Sequence, residues 1–273
     1  MSNPAPPVYE RPEVDHPPRR RLGWVILIAA ALVAGVTIVV IGMDRPDPLA
    51  APTTPPPGFL VPDLAPAPGT SVPTATAVAP GADTANLPAW AKRLSDKTEV
   101  PARSLVAYAR AEIATKAATP TCKINWATLA GVGRVESHHG RYNGTTIGDD
   151  GELTPPIIGI PLDGSPGVRA IPDTDGGRLD GDKQWDRAVG SMQFLPATWA
   201  RWGVRANGDG APPDPQNVDD AALSAARYLC ASGGDLSSAQ GWWKAILTYN
   251  ESTTYGQNVF SGADAYARAA ATL

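Results

Sequence analysis

A carboxylate at the end of an apolar helical run is the residue of this sequence best placed for acid–base chemistry. In "GVGRVESHHG", residues 131–140, Glu136 follows Leu129 and Val132 at helical spacing, so its side chain is predicted to face inward. Burial disfavours the charged form of a carboxyl and raises its pKa, which would let Glu136 act as a general acid. From helix geometry alone, a hydrogen bond to a neighbouring loop explains Glu136 equally well.

The two histidines after Glu136 do not predict a metal site. His138 and His139 are adjacent and therefore diverge on a helix end, and no third ligand follows at a suitable spacing. No Gly-x-Ser-x-Gly nucleophile motif occurs. We expect these histidines to be exposed or to support a neighbouring residue.

Two acidic loops have the composition of calcium loops without their spacing. In "DTDGGRLDGD" a glycine stands where a third ligand belongs, and in "RANGDGAPPD" Arg205 replaces the first aspartate. Turn formation accounts for these residues as well. The sequence therefore predicts no cofactor, with calcium as the less favoured alternative.

Two further stretches place polar side chains among apolar ones, as the stretch around Glu136 does. They are "AVGSMQFLPATWARWG", residues 188–203, and "AILTYNES", residues 245–252. Together with "VESHHG" they resemble the three motifs of bacterial lytic transglycosylases. The stretch "NGDGAPPDPQNVDDAALSAARYL" is similar to the membrane-bound lytic transglycosylase B branch, and the resemblance runs from about residue 88 to the C-terminus.

The resemblance implies a lysozyme-like, mostly helical fold with a groove for peptidoglycan glycan strands. It implies that Glu136 is the catalytic acid and base, which cleaves between N-acetylmuramic acid and N-acetylglucosamine and closes a 1,6-anhydro ring. It also implies that a tyrosine hydroxyl, that of Tyr249, lies close to this carboxylate. The expected substrate-binding residues are Ser137, Met192, Gln193, Phe194, Tyr249 and Asn250.

Several alternatives stay open beside this assignment. Gln193 could make a helix-start hydrogen bond instead of contacting sugar, and Ser137 could cap its helix instead of orienting Glu136. Glu251-Ser252 stands where many relatives carry Ala-Gly, so the shape of the pocket is not fixed by the resemblance. A water-using muramidase would need a second carboxylate, for which only the loop residues Asp149, Asp150 and Glu152 are near in sequence. The domain could also be an inactive glycan-binding or scaffold module.

Four amphipathic segments predict a mainly α (α+β) domain that positions these motifs. The first has Pro101 in its first turn, the second covers about 124–138, the third is capped by Asp219 and ended by Gly233, and the fourth is "SAQGWWKAILTYN". Residues 143–187 are rich in Gly, Asp and Pro, and "PIIGI" with "GVRAI" predicts a hairpin within this long loop insertion.

The two cysteines, Cys122 and Cys230, predict a disulfide within this domain. Both cysteines follow the apolar segment 22–43, which is predicted below to cross the membrane and leave them outside the cytoplasm. Because that compartment is oxidising, a disulfide is favoured over a metal site or a redox motif. Two buried thiols are the alternative.

The N-terminal third predicts a membrane anchor and a spacer. Residues 22–43 are uncharged and long enough to cross a bilayer, and the arginines at 19–21 predict a cytoplasmic tail over 1–21 and an extracytoplasmic remainder. A cleaved signal peptide is the alternative. Residues 44–87 are predicted as a disordered Pro-rich linker and 88–273 as the catalytic domain.

The net charge of −4 and the pI near 5.4 argue against nucleic acid binding. The expected partners are glycan strands and the membrane, and no protein partner is indicated.

Overall fold

The structure is a computed structural model that describes residues 58–74 and 84–273. Helices dominate this part of the chain. The helices are α1 Leu87–Ser95, α2 Ala102–Ala118, α3 Trp126–Ser137, α4 Pro196–Trp202, α5 Val218–Gly233, α6 Ala239–Tyr249 and α7 Thr253–Ala270. Short 3-10 turns cover Thr84–Asn86 and Tyr142–Gly144, and β1 Thr146–Ile147 pairs antiparallel with β2 Leu153–Thr154. The predicted helix-rich architecture is confirmed.

The core is built around two helix pairs, α3 with α7 and α2 with α5. Glycine permits the first pair to pack closely, since a Cβ on Gly131 would lie 2.5 Å from the carbonyl oxygen of Val259 in α7. Gly133 is equally constrained, because a Cβ there would collide with the Tyr108 hydroxyl. The two glycines of "GVG" therefore let α3 approach two neighbours, Gly131 towards α7 and Gly133 towards Tyr108 of α2.

The start of α5 differs from the prediction by two residues. Asn217, and not Asp219, is the N-cap, and its side chain accepts hydrogen bonds from the amides of Asp219 and Asp220. Asn caps as well as Asp does, so the helix begins at the earlier of the two side chains. The Asp219 carboxylate instead pairs with Arg103 of α2. The helix ends at Gly233, as expected.

The predicted hairpin is only partly present. Asp163 and Ala170 form an isolated antiparallel bridge, which closes a turn over 162–171. Ile158 of "PIIGI" bridges Val189 instead, at the start of the second motif. The amides of Gly159 and Leu162, on either side of Pro161, donate to the carbonyls of Ala188 and Asp186, so this segment runs along the start of the second motif. The insertion is therefore fastened to the second motif and not only to itself.

Residues 58–74, which we call the strap, lie against the helical domain, contrary to the prediction that all of 44–87 is a disordered linker. The ring of Phe59 stacks on Tyr266 of α7, with centroids 5.7 Å apart. A polyproline-rich backbone has unpaired N–H and C=O groups, and here the side chains of the domain bind them. The hydrogen bonds join Leu64 to Ser261, Pro66 to Gln257, Ser71 to Trp243 and Thr74 to Asp264.

The predicted disulfide is present between Cys122, just before α3, and Cys230 in α5. It joins segments 108 residues apart in sequence. Within residues 58–74 and 84–273 no helix is both long and apolar enough to traverse a bilayer. The predicted membrane span at 22–43 and the tail at 1–21 lie outside the described residues.

Candidate functional site

The last turn of α3 places Glu136 in a half-buried position among apolar neighbours. Burial raises the pKa of its carboxyl from 4.5 to about 7, and a hydrogen bond from Tyr255 partly opposes this shift. The prediction of an inward-facing carboxyl with a raised pKa agrees with this burial. This group can give a proton at neutral pH and take one back.

Tyr255 is the hydrogen-bond donor that the sequence did not reveal. Its hydroxyl lies 2.5 Å from Oε1 of Glu136, and its side chain is buried in the first turn of α7. The two residues are 119 positions apart and meet only because α3 packs on α7. The available signal was a tyrosine three residues after Ser252, the N-cap of α7.

Ser137 and Met192 join the first two motifs and do not line a cleft. The Ser137 hydroxyl donates to the carbonyl of Ser191 at 2.6 Å and accepts from the amide of Gly140 at 2.8 Å. Both Ser137 and Met192 are buried. Their expected role in substrate contact is therefore replaced by a structural one, because these side chains fill the junction behind Glu136.

Gln193 and Phe194 do reach a cleft, of about 530 Å³. Gln193 has a left-handed backbone with φ of 48°, and its side-chain amide donates to the carbonyl of Gly190 at 2.9 Å. This bond fixes the side chain at the cleft wall. Phe194 packs edge-on against Trp199 and Tyr249, so only part of its ring faces the cleft. The other walls come from residues 167–171 and from the end of α6.

Tyr249 lines the cleft and lies near enough to Glu136 for the two groups to interact electrostatically. Its hydroxyl donates to the carbonyl of Met192 at 2.6 Å, whereas the hydrogen bond to Glu136 comes from Tyr255. Burial and then the nearby Glu136 charge raise the pKa of Tyr249 well above its usual value. Asn250 is exposed at the cleft, and its side chain accepts from the amide of Ser252.

Two of the three candidate second carboxylates, those of Asp150 and Glu152, are engaged in the loop, and Asp149 is bound through its backbone. Glu152 accepts from the Asn217 side chain at the start of α5, and Asp150 accepts from the amide of Glu152. Asp149 lies beside Arg103, whose guanidinium donates to its carbonyl. None of these three contributes to the shifted pKa of Glu136. The arrangement of this loop favours one acid–base carboxyl over a pair.

The histidines behave differently from each other. His138 is exposed, whereas His139 is buried between the hydroxyls of Tyr108 and Tyr266, at 3.3 and 3.0 Å from its ring nitrogens. Burial and the nearby Arg141 lower its pKa well below the usual value, so the ring is neutral. His139 therefore supports the end of α3 and is not free to bind a metal.

One group of carboxylates among the described residues could contact a single cation: Asp173, Asp175 and Asp186, with oxygens within 4.8 Å of one another. Backbone amides already bind them, however. Asp173 accepts from the amides of 175–177, and Asp186 accepts from Thr174. These are the bonds of a turn, as the sequence suggested.

The comparisons with known proteins can now be set beside this geometry. Residues 179–242 match the transglycosylase SLT domain family. The matched stretch contains the cleft residues Gln193 and Phe194 and ends within α6. Glu136 precedes the matched stretch and Tyr255 follows it. The match covers well under half of the chain. No curated protein is similar enough to count as a match.

One solved structure is similar to the chain, the Escherichia coli lytic transglycosylase Slt35 in complex with bulgecin A. The sequence identity is 18%, and the alignment covers 71% of this chain and 81% of that chain, with a TM-score of 0.40. A similarity of this size carries no argument about the site.

Proposed function

We propose that this protein is a membrane-anchored, extracytoplasmic lytic transglycosylase that cleaves the MurNAc–GlcNAc bond of peptidoglycan. The observation that carries the proposal is Glu136, whose pKa of about 7 suits a proton donor at neutral pH, at the junction of the three motifs. The family match over 179–242 supports a lytic transglycosylase. A lysozyme-like fold and the membrane-bound lytic transglycosylase B branch belong to the same proposal, on the strength of the sequence motifs.

The proposed reaction uses one carboxyl twice. Protonated Glu136 donates to the glycosidic oxygen as the bond from that oxygen to C1 of the muramic residue breaks, which leaves an oxocarbenium-like centre. The Glu136 carboxylate then takes the proton of the 6-hydroxyl as its oxygen bonds to C1, which closes the 1,6-anhydro ring and restores the acid. An intramolecular hydroxyl has an effective concentration that reaches about 10⁵ M or more, so water need not be activated.

Product mass separates this proposal from its alternatives. The full chain, purified in detergent, should release fragments from sacculi whose ends are anhydro-muramic acid, lighter by one water than reducing ends. Reducing ends would indicate a muramidase instead. Glu136→Gln should release fragments from sacculi at a rate lower by a factor of about 10² or more, as expected for loss of a general acid. The matched control is Glu152→Gln, which changes a carboxylate bound to the Asn217 side chain. It should release fragments at the wild-type rate.

If Glu136→Gln releases fragments at the wild-type rate, the catalytic assignment is wrong. Folded protein that binds sacculi without releasing fragments would instead indicate a glycan-binding module.

The anchoring part of the proposal has its own test. Residues 22–43 should keep the chain in the membrane fraction after a carbonate wash, and a chain lacking 1–43 should appear in the soluble fraction. Recovery of the full chain as a secreted product without residues 1–43 would indicate a cleaved signal peptide.

A further inference from the structure

Gly159 of the loop insertion lies directly against the side chain of Gln193. A Cβ added to Gly159 would be 3.1 Å from the Oε1 atom of Gln193 and 3.2 Å from the carbonyl oxygen of Ala188. Both distances are tighter than the usual contacts of a Cβ atom. The insertion therefore approaches Gln193 this closely because residue 159 has no side chain.

The backbone conformation of Gly159 does not by itself require glycine. Other glycines of the insertion, such as Gly144, Gly164 and Gly181, have φ of 83°, 78° and 80°, in the left-handed region that favours glycine. The φ of Gly159 lies outside this region. An alanine at position 159 would therefore change the space beside Gln193 and would not strain the backbone.

Hydrogen bonds hold both sides of this contact in place. The Gly159 amide donates to the carbonyl of Ala188 at 2.8 Å, and the Arg187 guanidinium donates to the carbonyl of Gly159 at 3.2 Å. The side-chain amide of Gln193 donates to the carbonyl of Gly190 at 2.9 Å. A methyl group on residue 159 would therefore displace the Oε1 atom of Gln193 or break one of these bonds.

The Oε1 atom of Gln193 accepts no hydrogen bond from any group within residues 58–74 and 84–273. The amide cannot reverse without losing its bond to Gly190, because only the nitrogen end is a donor. Gln193 lines the cleft, so this oxygen is an acceptor without a donor in the wall of the site. It suits a ligand that supplies a hydroxyl or an amide N–H.

We propose that Gly159 is a positioning residue, which leaves the Gln193 amide in the orientation that accepts a hydrogen bond from the glycan strand. This inference rests on the proposed function and adds to it a requirement for glycine in the insertion. Gly159 acts through Gln193 and has no part in the proton transfer at Glu136.

The test combines two substitutions in the full chain and measures cleavage of soluble glycan strands. Gly159→Ala should lower kcat/KM by about 3–10-fold, mainly through KM, because the displaced amide binds the strand less well. Gln193→Ala should lower kcat/KM at least as much. Adding Gly159→Ala to Gln193→Ala should cause no further loss, since the atom that the methyl group displaces is gone.

Two measurements separate positioning from damage to the fold. Alanine is compatible with the φ of residue 159, so Gly159→Ala should unfold at about the wild-type temperature. The matched control is Gly58→Ala, because a Cβ on Gly58 would meet nothing within 4 Å and the φ of Gly58 is not in the left-handed region. This control should keep the wild-type kcat and KM.

An equal loss from Gly159→Ala in the wild-type and Gln193→Ala backgrounds would overturn the inference, because the methyl group would then act through the Ala188 carbonyl. Wild-type kcat/KM in either single variant would also overturn it and would leave the proposed function intact. Absence of cleavage by the folded wild-type chain would overturn the proposed function itself.

Discussion

Glu136 combines two demands that conflict at the level of a single residue. Its side chain must be sheltered enough to keep a proton near neutral pH, yet it must be reachable from the cleft. The structure leaves Glu136 half-buried at the end of α3, where Tyr255 donates a hydrogen bond to it and its charge acts on Tyr249, a residue of the cleft wall. The carboxyl is thus held by α7.

The raised pKa of Glu136 makes the protein less stable as pH rises. Between the unfolded value of 4.5 and the folded value of about 7, the native state holds a proton that the unfolded state has lost, so the free energy of unfolding falls across this window. The loss approaches ~3 kcal/mol above pH 7. Glu136→Gln should therefore unfold at a higher temperature than wild type at pH 8 and at a similar temperature at pH 4. Thermal unfolding by circular dichroism checks this, and equal stability at pH 8 would contradict the assignment of the shift to burial.

Tyr255 should set the alkaline limit of activity. Its hydrogen bond favours the ionised form of Glu136, so Tyr255→Phe should raise the pKa of Glu136 further. We expect the descending limb of kcat/KM against pH to move upward by roughly one unit or less, the size of one hydrogen bond. The control is Tyr142→Phe, an exposed tyrosine, which should leave the profile in place. A limb that does not move would show that Tyr255 has no influence on the proton of Glu136.

The elements that matter most for the site are α3 and α7, and the strap binds to the second of them. Phe59, Leu64 and Thr74 contact Tyr266, Ser261 and Asp264 along α7. The same Tyr266 contacts His139, next to the end of α3. The strap is therefore part of the layer that supports the site from outside.

Removing the aromatic contact of the strap should release it. Phe59→Ala should lower the free energy of unfolding by about 1 kcal/mol, the size of a partly buried aromatic pair. It should also speed hydrogen exchange at the amides of Leu64 and Thr74, which bond to α7. Leu60→Ala is the matched control, because Leu60 is 82% exposed. Unchanged exchange in Phe59→Ala would show that the hydrogen bonds alone hold the strap.

At the scale of the molecule, the inward direction of one side chain and the pairing of the two cysteines were predictable, whereas the contact between Tyr255 and Glu136 and the docking of the strap were not. The inward direction of Glu136 follows from Leu129 and Val132 on the same face, and the disulfide follows from compartment and cysteine number. Tyr255 could not be found because its approach to Glu136 depends on how α3 crosses α7. The strap was missed because a Pro-rich composition argues against a core of its own and says nothing about docking on another surface.

The disulfide should stabilise the whole domain. It closes a loop of 108 residues between the start of α3 and α5, so reduction should lower the free energy of unfolding by up to about 4.7 kcal/mol in the chain-entropy model. Thermal unfolding with and without reductant measures this. The Cys122→Ser, Cys230→Ser double variant should unfold at the lower temperature in both conditions. An unchanged midpoint after complete reduction would show that packing of the helices suffices.

The attachment of the strap also decides where mechanical load enters the domain. Leu64 and Thr74 fasten the strap to α7, so a pull arriving from the N-terminal side reaches that helix before it reaches the start of α1. The helix under load is the one whose first turn presents Tyr255 to Glu136. In the anchored enzyme that we propose, tension along the N-terminal chain and proton transfer at Glu136 would therefore act on the same helix.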